Sequence, residues 1–171
     1  MGRQTNLNLL VSLGLVLCCT AVSWGAAELW SERPNDDVIS RHFIAHKKHL
    51  NHLREMIEED GGRVSYIGSD TVTTKGAALG SEREKAYLKV LHDIGAVNVT
   101  QHAGEMVVWF WVDAASVVSR SRSKGVAFFP NINNHRYQLV SALDDAESKE
   151  QDGVYVRSLE GGWFIIYMQS T

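Results

Sequence analysis

The sequence predicts an α+β domain in which two N-terminal helices pack on one face of a twisted antiparallel β-sheet of about five to seven strands. Three observations lead there. Apolar residues recur at intervals of three and four as far as Ile94, which is helical periodicity. From Val97 onward the period changes to short runs rich in Val, Ile and aromatics, which favour strands. The connections between those runs are short, so adjacent runs should pair antiparallel and bury their apolar face under the helices.

Asn35, Asp36 and Asp37 follow Pro34, and each can cap a helix. Ile39, Phe43, His46, Leu50, Leu53 and Ile57 then form one apolar stripe, while Lys47, Lys48, Arg54, Glu55, Glu58 and Glu59 fall off it. Gly61-Gly62 permit the left-handed residue that ends a helix. Residues 63–67 alternate enough for a short strand, and residues 68–80, rich in Gly, Ser and Thr, read as a surface loop. Ser81-Glu82-Arg83-Glu84 matches a capping box, Tyr87, Leu88, Leu91 and Ile94 follow at helical spacing, and Gly95 closes the second helix. Strands are expected over 97–102, 106–112, 125–129, 137–143, 154–159 and 163–168, with hairpin turns at Ala103-Gly104 and Gly161-Gly162. The run 106–112 is apolar at successive positions, so both of its faces should be covered, as in the centre of a sheet.

The N-terminus sets the expected compartment. Arg3 supplies a positive n-region and residues 7–21 a mainly apolar run, shorter than the roughly 20 residues of a bilayer span. Small residues allow cleavage after Ser23, Gly25 or Ala27, so residues 1–25 read as a cleaved signal peptide and residues 28–171 as one domain. Cys18 and Cys19 close the apolar run where a lipid-attachment cysteine would sit, but Leu17 precedes Cys18 and Cys18 precedes Cys19 where a small residue is expected, which favours cleavage over lipidation. Both cysteines would leave with the signal, and the exported domain must be stable without a disulfide. With 17 basic and 20 acidic side chains and a net charge of −3, no basic field points to nucleic acid or to an anionic membrane.

His42, His46 and His49 are the candidate metal ligands, because spacings of three and four bring them to neighbouring turns of one helix. His52 points away from them, no HExxH pattern is present, and further ligands would have to come from elsewhere in the fold. Ser119, Arg120, Arg122 and Lys124 lie in a stretch of alternating serines and cations that can offer hydroxyl and cationic donors to an anionic group, or can simply be a polar loop. Asp144, Asp145, Glu147 and Glu150 could gather a cation but lack the EF-hand order. Glu55, Glu58, Glu59 and Asp60 could serve as general acid and base if a second carboxylate faced them across a cleft; otherwise they are the wet face of a helix. Asn98-Val99-Thr100 has the form of a glycosylation acceptor. No GxSxG elbow, glycine-rich phosphate cradle or CxxC is present, so no catalytic residue is assigned and no cofactor is expected.

The order of these features carries a resemblance: an export signal, the helix containing Arg41-His42-Phe43, Arg83 with Tyr87 on the second helix, then Lys124-Gly125-Val126-Ala127-Phe128-Phe129. Leu139-Val140-Ser141-Ala142-Leu143-Asp144 and a closing Tyr155-Val156-Arg157-Ser158-Leu159-Glu160-Gly161-Gly162-Trp163-Phe164-Ile165-Ile166-Tyr167 complete it. The chain resembles an uncharacterised family of small exported proteins of Gram-negative bacteria, which implies a periplasmic address and carries over no catalytic residue. Gly125 and Gly161-Gly162 read as tight backbone, and Trp163, Phe164 and Tyr167 as core anchors.

The expected function is a non-enzymatic periplasmic protein-binding module of the inhibitor or immunity type, with an envelope protein as partner and residues 69–79 and 116–124 as recognition loops. The alternatives are an envelope hydrolase acting on cell-wall or sugar material, using His42 or His49 with Glu55 or Asp60, and a histidine-based metal-binding protein. No nucleic acid and no stable membrane span after signal cleavage are expected.

Overall fold

Helix α1 (Asp36–Glu59) starts where the Asn35 side chain accepts a hydrogen bond from the Val38 backbone N–H at 3.0 Å. It ends in a Schellman arrangement: Gly62 N–H donates to the Ile57 carbonyl and Gly61 N–H to the Glu58 carbonyl, with both glycines at positive φ. The computed structural model describes residues 32–113, 121–132, 136–144 and 152–170. The export segment expected over 1–25 lies outside the described residues, and no helix among them is long and apolar enough to cross a membrane.

The chain continues through β1 (Val64–Ile67), β2 (Val72–Thr74), α2 (Ser81–Asp93), β3 (Asn98–His102), β4 (Glu105–Asp113), β5 (Ser121–Phe128), β6 (Gln138–Leu139), β7 (Gly153–Ser158) and β8 (Trp163–Ser170). The architecture is α+β, as expected, with three corrections. Among the described residues the sheet has eight strands, in the order β2-β1-β3-β4-β5-β8-β7-β6. The second helix follows two strands rather than joining the first at the N-terminus, because β2 forms inside the stretch 68–80 and returns antiparallel along β1. And β6 pairs parallel with β7, since the chain crosses from β5 to the far edge and leaves β8 to pair with β5.

α2 also starts differently from the capping box. Gly80 is its N-cap and no side chain closes that end, so Ser81 is already the first helical residue. Its C-terminus matches the reading: Gly95 at φ 62° lets Ala96 N–H reach the Leu91 carbonyl and Gly95 N–H the His92 carbonyl.

Trp163 shows which face of β8 meets α1. Its ring lies 5.7 Å from that of Phe43 and its indole N–H donates to Asn51 at 3.1 Å. Alternation puts Ile165 and Tyr167 on this face, and both are buried. The other face carries a second cluster of Trp109, Ala127, Phe129, Val156, Phe164 and Ile166. Phe129 stacks on Phe164 and on Tyr137 from the segment after β5, and the Tyr137 hydroxyl donates to Glu105 at 2.6 Å. The central strands are therefore covered on both sides, which explains why β4 is apolar at successive positions.

Candidate functional site

A groove of about 520 Å³ opens where the C-terminal end of α1, the β3–β4 turn, the end of β5 and the residue after β2 meet. Its apolar floor is Phe128, Met106 and Ile57, and its polar groups are Arg54, Glu58 and Lys75. This size falls within the range of small-ligand pockets, which combine an apolar lining with a few placed polar groups. Arg54 reaches it because the helix places residue 54 one turn before the Schellman end, where the guanidinium lies over Phe128 with Cζ 4.7 Å from the ring centroid. Its Nε is shielded from water and has no hydrogen-bond partner; the nearest carboxylate oxygen, Glu58 Oε1, stands 3.7 Å away.

The groove wall is held rigidly. With its amide oriented to satisfy its neighbours, buried Gln101 donates to the carbonyls of Val64 (3.1 Å) and Gly62 (3.3 Å) and accepts from Gly104 N–H (3.3 Å). That one side chain clamps the end of α1 to the β3–β4 turn, where Ala103 and Gly104 take positive φ of 51° and 85°. The Lys75 backbone N–H donates to the Arg63 carbonyl at 2.8 Å, so its Cα is fixed while the ammonium stays in solvent.

The residues named from sequence fall elsewhere. Ser119 and Arg120 lie outside the described residues. Arg122 is in β5, opposite Gln169 and Asp113, because the strand begins at Ser121 rather than at Gly125. Lys124 is not a solvent-facing donor: it is fully buried under the start of α1, with Nζ 2.9 Å from Asp36 Oδ1 and 3.0 Å from Asp144 Oδ1. Asp36 Oδ2 accepts from Leu143 N–H at 2.9 Å and lies 3.5 Å from Arg157 Nη1, while Arg157 Nη2 donates to Ser40 at 2.7 Å. This network ties the helix to β5, β7 and the segment after β6.

His42, His46 and His49 do meet along α1. The His42 and His46 ring centroids are 4.3 Å apart and those of His46 and His49 6.1 Å. The His42 Nε2–H donates to the Ile94 carbonyl at 2.7 Å and the ring abuts the Phe110 edge, so that nitrogen is committed to the α1–α2 junction. Among the described residues no group of three or more His, Cys, Asp or Glu is placed to hold a metal ion. Burial pushes the pKa of His42 down and the neighbouring His46 adds to this; burial and His49 likewise lower that of His46.

Asp60 accepts from the Tyr87 hydroxyl at 2.7 Å and from Arg83 Nε at 2.9 Å, and Arg83 also donates to the Met56 carbonyl and to Glu59. Burial alone would push the Asp60 carboxyl up, but these donors hold it below the ordinary carboxylate range. Burial and the bond to Asp60 raise the Tyr87 phenol. Glu55 lies on an exposed face of α1 beside Ile44, Lys48 and His52, in a separate surface depression.

Sequence reasoning placed Arg54 and Glu58 on the wet face of a helix and missed the groove. The one available signal was Lys75 at the centre of the proposed loop 69–79. No family model, no curated protein and no solved structure matches this chain.

Proposed function

We propose that the chain is a non-enzymatic protein-binding module of the bacterial cell envelope, exported to the periplasm and acting as an inhibitor or immunity-type protein. The observation that carries this reading is the preformed groove, in which Arg54, Lys75 and Glu58 surround an apolar floor and Lys75 belongs to the loop singled out for recognition. A rigid concave site with few polar groups is what an anchor residue of a partner requires. The hydrolase alternative needs a histidine and a carboxylate to converge. Here Asp60 is occupied by Arg83 and Tyr87, His42 by Ile94, and Glu55 stands on another face.

The test is affinity capture from an envelope extract by the signal-less protein and by a Lys75→Glu variant. The proposal expects one stoichiometric protein on the first and its loss on the second. Turnover of a cell-wall or sugar substrate by the purified protein would replace it with the hydrolase.

A further inference from the structure

The chemistry of the groove specifies more than a binding surface. Arg54 lies over Phe128, with Cζ 4.7 Å from the ring centroid, and its Nε has no hydrogen-bond partner, Glu58 Oε1 standing 3.7 Å away. A guanidinium seated over a ring with donors to spare matches a carboxylate, which it can take in bidentate fashion. Lys75 adds a second cation at the rim.

The same site disfavours a doubly charged group. Glu58 lines the groove beside Arg54, and the C-terminal end of α1 presents the negative pole of the helix dipole there. Two cations facing one carboxylate and a helix C-terminus leave a field suited to one negative charge. The floor of Phe128, Met106 and Ile57, immediately beside the cations, requires an apolar group attached close to that charge.

We infer that the groove takes the C-terminal residue of a polypeptide, with the free α-carboxylate on Arg54 and Lys75 and an apolar side chain on Phe128 and Met106. This rests on the protein-binding reading and names the part of the partner that is held. The β-strand edge strengthens the choice of a polypeptide end. β2 is the terminal strand of the sheet, and Lys75 follows its last residue, so an extended chain approaching along that edge arrives at the cations.

The experiment is a chemical-shift titration of the signal-less protein with acetyl-Ala-Ala-Ala-Phe as the free acid, the same peptide as its C-terminal amide, and inorganic phosphate. The free acid should shift the resonances of Gln101, Gly104 and Phe128, and the amide should bind about tenfold or more weakly. Phosphate should leave those resonances in place. Arg54→Gln and Lys75→Gln should each weaken the acid peptide, and Arg54→Lys should not restore it, because an ammonium lacks the planar fork. Lys75 is exposed on its loop, so its variant keeps the test clear of folding effects. Equal binding of acid and amide, displacement by phosphate, no binding of the acid, or shifts centred elsewhere would each overturn the inference. If capture of a partner still depends on Lys75 while the acid peptide fails, the terminal carboxylate is wrong and the binding reading stands. If both fail, both fall.

Discussion

Gly125 shows how a single position constrains the sheet. A Cβ there would stand 2.0 Å from the Val108 carbonyl oxygen and 3.0 Å from the Trp109 Cα, both backbone atoms of β4 that cannot yield without breaking the pairing. Gly125→Ala should therefore leave no cooperatively folded protein, visible as loss of the thermal transition by circular dichroism. The sequence reading already takes Gly125 as tight backbone, although it sets the glycine at the start of a strand that in fact begins at Ser121. Its neighbour Lys124 was not legible, because Ser-Arg-Ser-Lys reads as a loop and its carboxylate partners come from the start of α1 and from the segment after β6. Lys124→Met removes one member of a buried ionic group and strands Asp36 without its ammonium. The expected cost is about 3–5 kcal/mol, measurable by urea unfolding.

At the scale of elements, helix ends were readable and edges were not. Glycines at both helix C-termini and Asn35 at the first N-terminus act locally, so their roles follow from sequence, whereas β2 and β6 are edge strands of three and two residues, too short to show a period of their own. The two N-termini make a contrast: Asn35→Ala should cost about 1 kcal/mol, and Ser81→Ala less than about 0.5 kcal/mol because Ser81 makes no cap bond. The junction of α1 with α2 should respond to pH in two ranges. His42 and His46 have folded pKa values below 6.5, so the folded state resists their protonation, and stability is complete above pH 6.5 and falls as pH drops below it. The melting temperature should fall between pH 7.5 and 5.5, and less steeply in His46→Gln. Asp60 is also depressed: its contribution is complete above its unfolded value near 3.8 and is lost as pH falls through the lower folded value. Tyr87→Phe, which removes one of its donors, should cost about 1–3 kcal/mol by urea unfolding at pH 7.

For the whole molecule, the change of period from helix to strand identified an α+β chain with a two-sided centre, and β5 could be placed beside β8 only once the sheet was seen. The groove was hidden for the same reason. Arg54, Lys75, Gln101 and Phe128 are separated along the chain and gather only because the Schellman turn of α1, the β3–β4 turn and the end of β5 share one end of the sheet. The histidines, close in sequence, were the easier signal and lead to a helix junction instead. The proposed function turns on whether this groove holds a partner protein. The most direct test is cross-linking mass spectrometry on the captured envelope complex, comparing the unaltered chain with Arg54→Glu/Lys75→Glu and with Lys48→Glu in the separate depression on α1. The expected result is one partner at equal stoichiometry, cross-linked through Lys75, retained by Lys48→Glu and lost from the groove variant. A partner kept by the groove variant, or cross-links confined to Lys47 and Lys48, would contradict it.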